Sequence, residues 1–309
     1  MTTAPFPVDP VLTAVAIAYR NEFLVADGVM PRVPVARQEF KWWEYALSEG
    51  FTLPDTRVGR KSRPTEVEFG AVERSAVTED YGLDDAIPQS DVDNAPANFD
   101  PRAQASQRIT DLILLDREVR VAGIVQNPSS YAADNVRTLS GSERFDDFAG
   151  SDPLETILDA LDGCIVRPNV MVIGRSALSV LARHPKVVRA HHGNDGDSGI
   201  VPRLGLAQIF DLQEVLVGEA FLNRARPGQP VDLARVWGPN VALVHRNPAA
   251  GAQGGLTWGF TAQFGDRVAG TLPDSDIGLR GGVRVRVGES VKEVIAAPDA
   301  GALLRDVIG

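Results

Sequence analysis

Ser198 stands in Gly196-Asp197-Ser198-Gly199, the core of a nucleophile motif in which a serine hydroxyl attacks a carbonyl and a histidine takes the proton. That chemistry needs an imidazole held against the hydroxyl and a buried carboxylate behind the imidazole. Where the motif ordinarily continues with a further glycine, this chain has Ile200, and no histidine-bearing counterpart segment precedes it. A hydrolase using Ser198 is therefore a distant alternative. His191, His192, Asp195 and Asp197 bring imidazole and carboxylate together, a donor set suited to zinc or manganese. Adjacent histidines seldom converge on one ion, and no His-x-x-x-His spacing sets two rings on one helical face, so HHGND reads as a polar loop. Gly251-Ala252-Gln253-Gly254-Gly255 lacks the Gly-Lys-Ser/Thr of a phosphate loop. Cys164 is the single cysteine, which rules out an intrachain disulfide and fits a reducing compartment. Its place between a helix and an apolar run makes it a buried structural thiol. No constellation supports catalysis, and no cofactor or metal is expected.

Charge excludes another class. The 309 residues carry a formal net charge of −10. A protein that neutralises phosphates shows a basic patch, so tight nucleic-acid binding is disfavoured, although enclosing nucleic acid is not. Arginine supplies nearly all the positive charge, since lysine occurs only at Lys41, Lys61, Lys186 and Lys292. No apolar run reaches membrane-spanning length. The first residues lack the basic and apolar regions of a signal peptide.

The elements that would position these residues follow from periodicity. Residues 100–126 predict a long helix, capped by Asp100, opened by Pro101 and ended at Asn127-Pro128. Its apolar stripe is Ile109, Leu112, Ile113, Val119 and Ala122, and its charged flanks include Arg117, Glu118 and Arg120. At about 1.5 Å per residue it is a rod of roughly 35–40 Å, long enough to brace a sheet. Residues 1–37 hold several prolines and one short helical run at 11–19, too little to build a core. They read as an arm lying on something else, such as a neighbouring subunit. Residues 38–47 and 65–77 alternate as strands around a polar, basic tip at 50–64, an extended hairpin that needs covering. Phe40 and Trp42 fall on one face, Trp43 and Tyr45 on the other. Residues 79–94 are acidic and read as a solvated connector. A capping-box pattern starts a second helix at Asp152, and 169–183 reads as a strand-turn-helix unit. Further strands at 214–217 and 241–245 complete a small α/β lobe over 152–262. Residues 282–296 form a period-2 strand that returns to the long helix.

The order of these parts resembles a tailed-phage (or prophage) major capsid protein of the Hong Kong 97 type. VLTAVAIAYRNEFLVADGVMPRVPV resembles the family's arm, and EGFTLPDTRVGRKSRP with EVEFGAVERSAVTEDYGLDDAIP its extended-loop hairpin. DPRAQASQRITDLILLDREVRVAGIVQNPSSY resembles the spine helix. SDPLETILDALDG and RPNVMVIGRSALSVLARHPKV resemble the axial domain, which VPRLGLAQIFDLQEVLVGEAFLN and VWGPNVALVH continue. GGVRVRVGESVKEVIAAPDAGALL resembles the returning peripheral strand. The similarity covers nearly the whole chain, and its force lies in the ordered series.

The resemblance implies an α+β Hong Kong 97-type fold with an arm (1–37), an extended hairpin (38–80), a peripheral domain with the spine helix (81–151 and 263–309) and an axial domain (152–262). It implies self-assembly into hexamers and pentamers of an icosahedral shell around double-stranded DNA. Portal and, where used, scaffolding or cement proteins would be further partners, with no membrane. The product would reside in the virion, assembled in the host bacterial cytoplasm. Trp42, Trp43, Phe51, Arg57, Arg60 and Lys61 are the inter-subunit contact candidates, large aromatics and cations on an element that cannot bury itself. Some members crosslink a loop lysine to a neighbour's asparagine with a glutamate assisting. Only Lys41 and Lys61 lie in the hairpin here and no partner positions align, so crosslinking is not expected. An encapsulin-like compartment of the same fold is the nearer alternative.

Overall fold

Asp9 and Asp100 each cap a helix that begins with proline, whose missing N–H has no intrahelical partner at that position. In the computed structural model the first of these, α1, spans Pro10–Ala18, followed by a single turn α2 (Ala26–Val29) and strand β1 (Arg32–Val35). Strands β2 (Glu39–Tyr45) and β3 (Ala71–Val77) come next, then β4 (Glu79–Pro88) and a short helix α3 (Gln89–Asp93). The long helix α4 is Pro101–Val125. The chain continues through β5 (Val136–Thr138), α5 (Pro153–Asp162), β6 (Val170–Gly174), α6 (Arg175–Leu181), α7 (Pro185–His192) and α8 (Arg203–Ile209). It closes with β7 (Glu214–Gly218), β8 (Phe221–Asn223), β9 (Leu233–Arg235), β10 (Val241–Val244), β11 (Gly259–Asp274), β12 (Gly282–Ile295) and β13 (Gly301–Arg305). The structure describes residues 6–45, 53–66, 71–193, 198–226, 228–250 and 255–309.

Two sheets organise the molecule. One has strand order β1-β11-β12-β4, the other β5-β13-β10-β6-β7. Helix α4 serves both. Its first half buries Ala105, Ile109 and Ile113 against Ala269, Val285 and Val287 of the first sheet, with Leu12 and Ala16 of α1 in the same cluster. Its second half buries Val121, Ala122 and Val125 against Val170, Val172, Val244 and Leu303 of the second sheet. Alternation in β6 sends Met171 and Ile173 to the opposite face, where Ile157, Leu161, Leu181, Leu206 and Phe210 cover them. Cys164 is buried on that side, and burial pushes its thiol up to about 11.

Several sequence expectations change. Residues 79–88 are not a connector but the edge strand β4, paired antiparallel with β12 over Gly282↔Pro88 to Val291↔Glu79. Their acidic side chains meet cations across the ladder: Asp84 takes Arg286 at 2.7 Å and Glu79 takes Lys292 at 2.5 Å. An edge strand tolerates, and is protected by, charge on its exposed row. The arm lies on its own subunit: β1 pairs parallel with β11 from Arg32↔Thr261 to Val35↔Phe264. Strand β11 gave no separate sequence signal. The strand β13 joins the second sheet between β5 and β10, so 301–305 belongs there and not with the first lobe. His191 and His192 end helix α7 and are not loop residues. On α4, Leu112 is exposed, whereas Arg117 and Glu118 are buried.

Candidate assembly surfaces

The hairpin β2–β3 pairs antiparallel from Glu39↔Val77 to Tyr45↔Ala71. Lys41 ion-pairs with Glu73 on the adjacent strand, leaving that amine engaged within the hairpin. At the base, Phe40 is buried and Trp42 half-buried, their ring centroids 5.7 Å apart, in a cluster with Phe260, Ala262 and Val294. Trp42 thus packs on its own subunit. The backbone of Trp43 pairs with Glu73. Phe51 lies outside the described residues. Arg57, Arg60 and Lys61 are exposed on the tip, beside Leu53 (87% exposed) and Val58 (48%). The three cations thus lie on one exposed stretch of five residues, whereas Trp42 packs at the hairpin's base.

The rigid platform behind the hairpin is an ionic chain that sequence reading missed. Arg267 enters it at the β-bulge of β11 between Phe264 and Val268, and donates to Ala16 O of α1 at 2.8 Å. Glu289, with no side-chain exposure, receives Arg267 at 2.8 Å and Arg32 at 2.9 Å. Arg32 also reaches Asp27 at 2.8 Å, and Asp27 takes Arg117 at 2.5 Å. Arg117 donates to Met30 O (3.0 Å) and Thr261 Oγ1 (2.8 Å). Arg120 carries the chain on to Glu293 at 3.2 Å and covers the Tyr81 ring at 3.7 Å. Burial opposes charge on Asp27 and Glu289, but their guanidinium partners outweigh it and hold both carboxyls below the usual range.

Glu118 joins the two lobes. Its carboxylate accepts the N–H groups of Val25 (3.0 Å) and Ala26 (2.8 Å) at the start of α2, and Nε1–H of Trp237 (2.6 Å) beside the second sheet. Burial raises its pKa, and these donors offset that only in part. Arg246 fastens the other end of α2 by donating to Gly28 O at 2.5 Å, and also meets Glu214 at 2.8 Å. A signal for both residues was present. Ile109, Ile113, Arg117, Val121 and Val125 form one i, i+4 row, and Thr110, Leu114, Glu118 and Ala122 the next, so the two charges occupy core-facing positions.

The candidate chemistry is not assembled. Ser198 is exposed, and among the described residues no imidazole hydrogen-bonds it; Asp195 and Asp197 lie outside them. Among the described residues no group of three or more His, Cys, Asp or Glu is placed to hold a metal. A buried Ser151–His184 pair exists at 3.1 Å. There Nδ1 accepts the Lys186 N–H at 3.3 Å, so Nε2 carries the proton and donates to Ser151 Oγ, whose hydroxyl donates to Asp147 O at 2.7 Å. This imidazole has no lone pair left for the serine proton and is structural.

A bracing helix over a long-stranded sheet, an α/β lobe and a projecting hairpin define a Hong Kong 97-type capsid fold. The capsid protein of cyanophage P-SCSP1u has the same fold, with a TM-score of 0.60 at 11% identity over 99% of this chain and 92% of that one. A phage-related protein from Bordetella bronchiseptica RB50 superposes more tightly, with a TM-score of 0.75 at 24% identity and 97% of each chain covered. No family model matches the chain. The major capsid protein of Pseudomonas phage JBD67 is 54% identical over 308 residues, covering 100% of this chain and 99% of that protein. The chain belongs to the phage major capsid protein family. It is a structural protein of the virion capsid, and the fold and function expected from the ordered sequence series hold.

Proposed function

We propose that this major capsid protein builds an icosahedral shell of hexamers and pentamers around double-stranded DNA, with the extended hairpin as the element that reaches a neighbouring copy. The carrying observation is the tip at 53–66. It exposes Leu53 and Val58 among Arg57, Arg60 and Lys61, while the subunit's own acidic edge strand lies elsewhere, on β12. Such a tip gains stability only by burial against another surface, and the ordering it costs is offset by the area gained on assembly. The first sheet with α4 acts as the peripheral domain and the second sheet with α5 to α8 as the axial domain. Trp43 and Phe51 are further contact candidates on the hairpin, with Trp42 anchoring its base. The net charge of −10 fits a wall that encloses DNA without sequence-specific grip. Assembly takes place in the host bacterial cytoplasm with a portal and, where used, scaffolding or cement proteins.

The triple variant R57E/R60E/K61E tests this reading. All three side chains are exposed, so the subunit should keep its stability within about 0.5 kcal/mol. Electron microscopy should show loss of closed shells at a concentration where the unaltered protein forms them. Unchanged shells from the variant would sink the hairpin's role. Nuclease-protected DNA in mature particles, in place of an enzyme cargo, separates the virion reading from an encapsulin-like compartment.

A further inference from the structure

Charge is distributed unevenly across the second sheet. Its edge strands are β5 and β7, four strand spacings or about 20 Å apart. Helix α8 packs on β7 and the β8–β9 hairpin follows it in the chain, with Phe221 and Arg235 lining a cleft beside Phe23 and Asp111; these elements and α6 expose Arg175, Arg203, Arg224, Arg226 and Arg235. Arg175 (3.3 Å) and Arg203 (2.8 Å) share the single carboxylate of Glu219, and Asp232 is exposed beside Arg224, so five arginines stand against two carboxylates and the cluster stays positive. Among the described residues no ion pair engages Arg224 or Arg226. Arg235 sits 4.5 Å over the Phe221 ring. Phe221 and Leu233 share its face of the hairpin and are 47% and 61% exposed. This is an apolar patch rimmed with cations, an arrangement that marks protein contact.

The opposite edge has the opposite sign. Helix α5 packs by Ile157 and Leu161 onto the core that includes Ala302 and Leu304 of β13, and turns Glu155 and Asp159 to solvent. These two are four residues apart, where like charges on a helix repel, and among the described residues no cation pairs with either. Asp134 and Asp146, flanking β5, are exposed as well. Phe148 and Ile165, before and after α5, are 40% and 50% exposed and supply apolar area.

We infer that the β8–β9 edge of one copy docks on the α5 edge of the next copy, a head-to-tail contact that closes capsomer rings and sets their direction. The inference rests on the shell-forming reading and adds which surfaces meet within a ring. Two different edges on one lobe make a heterologous interface, which generates a ring whenever the rotation per copy closes. Charge of opposite sign on the two edges favours head-to-tail docking and penalises head-to-head and tail-to-tail encounters, where like charges face each other.

Charge reversal tests it. R224E/R226E sets two carboxylates opposite the acidic α5 edge, and E155K/D159K sets two amines opposite the arginine-rich β8–β9 edge. Every altered side chain is exposed, and circular dichroism verifies folding. Each variant alone should lower the fraction of protein in rings, read by sedimentation and negative-stain microscopy, by at least about tenfold. Both pairs of changes in one chain should restore rings. Mixing the two separate variants should yield alternating rings, hence six-membered rings and no five-membered ones. A folded single-edge variant that assembles like the unaltered protein overturns the inference, as does a folded combined variant that fails to recover. Absence of rings and shells from the unaltered protein under all conditions instead overturns the shell-forming reading itself.

Discussion

Replacing Glu289 with glutamine removes one negative charge from between two guanidiniums and leaves the shape nearly unchanged. The site is closed: Glu289 has no side-chain exposure, Arg267 has 9% and Arg32 21%. Breaking a buried ion pair by removing one partner costs about 3–5 kcal/mol, because the other charge is left behind. Arg32 retains Asp27 and Arg267 retains Ala16 O, which places the expected loss near the lower bound, about 3 kcal/mol. The sign with pH follows from the depressed carboxyl. Burial works against its charge, but Arg32 and Arg267 outweigh burial. The unfolded chain therefore takes up this proton first as pH falls. The stabilisation is fully present above the unfolded value, about 4.3, and is lost as pH drops through the lower folded value. Urea titrations of unassembled protein, followed by tryptophan fluorescence from pH 7 downwards, should show a wide gap between the two proteins that narrows in acid. A gap under about 1 kcal/mol at pH 7, or one that does not narrow, would refute the assigned role.

His184 should impose a second, milder acid limb. Burial first, and Lys186 next, hold its pKa below 6.5 against the pull of Asp152, so its stabilisation is complete above that value and fades as pH falls further. Unfolding midpoints of H184N should be flatter than those of the unaltered protein between about pH 6.5 and 5. Gly218 should tolerate no side chain, because a Cβ there would lie 2.0 Å from Cγ of Trp237. G218A should lose roughly 1–3 kcal/mol in a thermal or urea melt and perturb the Trp237–Glu118 bond that links the lobes.

Much of the frame was legible because it is written locally. Asp100-Pro101 and Asn127-Pro128 bracket α4, Asp152-Pro153 opens α5, and the apolar run at Val170–Gly174 is a strand buried on both faces. The acidic strand β4 was misread because its pairing is non-local: its charges are matched by Arg286 and Lys292, more than 200 residues away. The arm was misread for the same reason, since Leu12 and Ala16 find their cover on β11, β12 and α4. Arg117 and Glu118 look like solvent-facing charges until Asp27, Thr261 and Trp237 are brought to them. At the hairpin, the exposure of Arg57, Arg60 and Lys61 accords with a locally legible polar, turn-rich stretch, whereas the packing of Trp42 depends on Phe260 and Val294, which no spacing near residue 42 reveals.

The arm closes on strands from the far side of the sequence, and that ordering in space has a kinetic meaning. Arg267 meets Ala16 O across 251 residues, Arg32 meets Glu289 across 257, and Thr261 meets Met30 O across 231. Loops of that length must close before any of these contacts forms, and chains dominated by such pairings fold slowly. Until the arm docks, the outer edge of β11 stays open and the partners of Leu12 and Ala16 stay wet. Arm docking is unimolecular, and it covers the β11 edge and the apolar partners of α1 that an undocked arm leaves open.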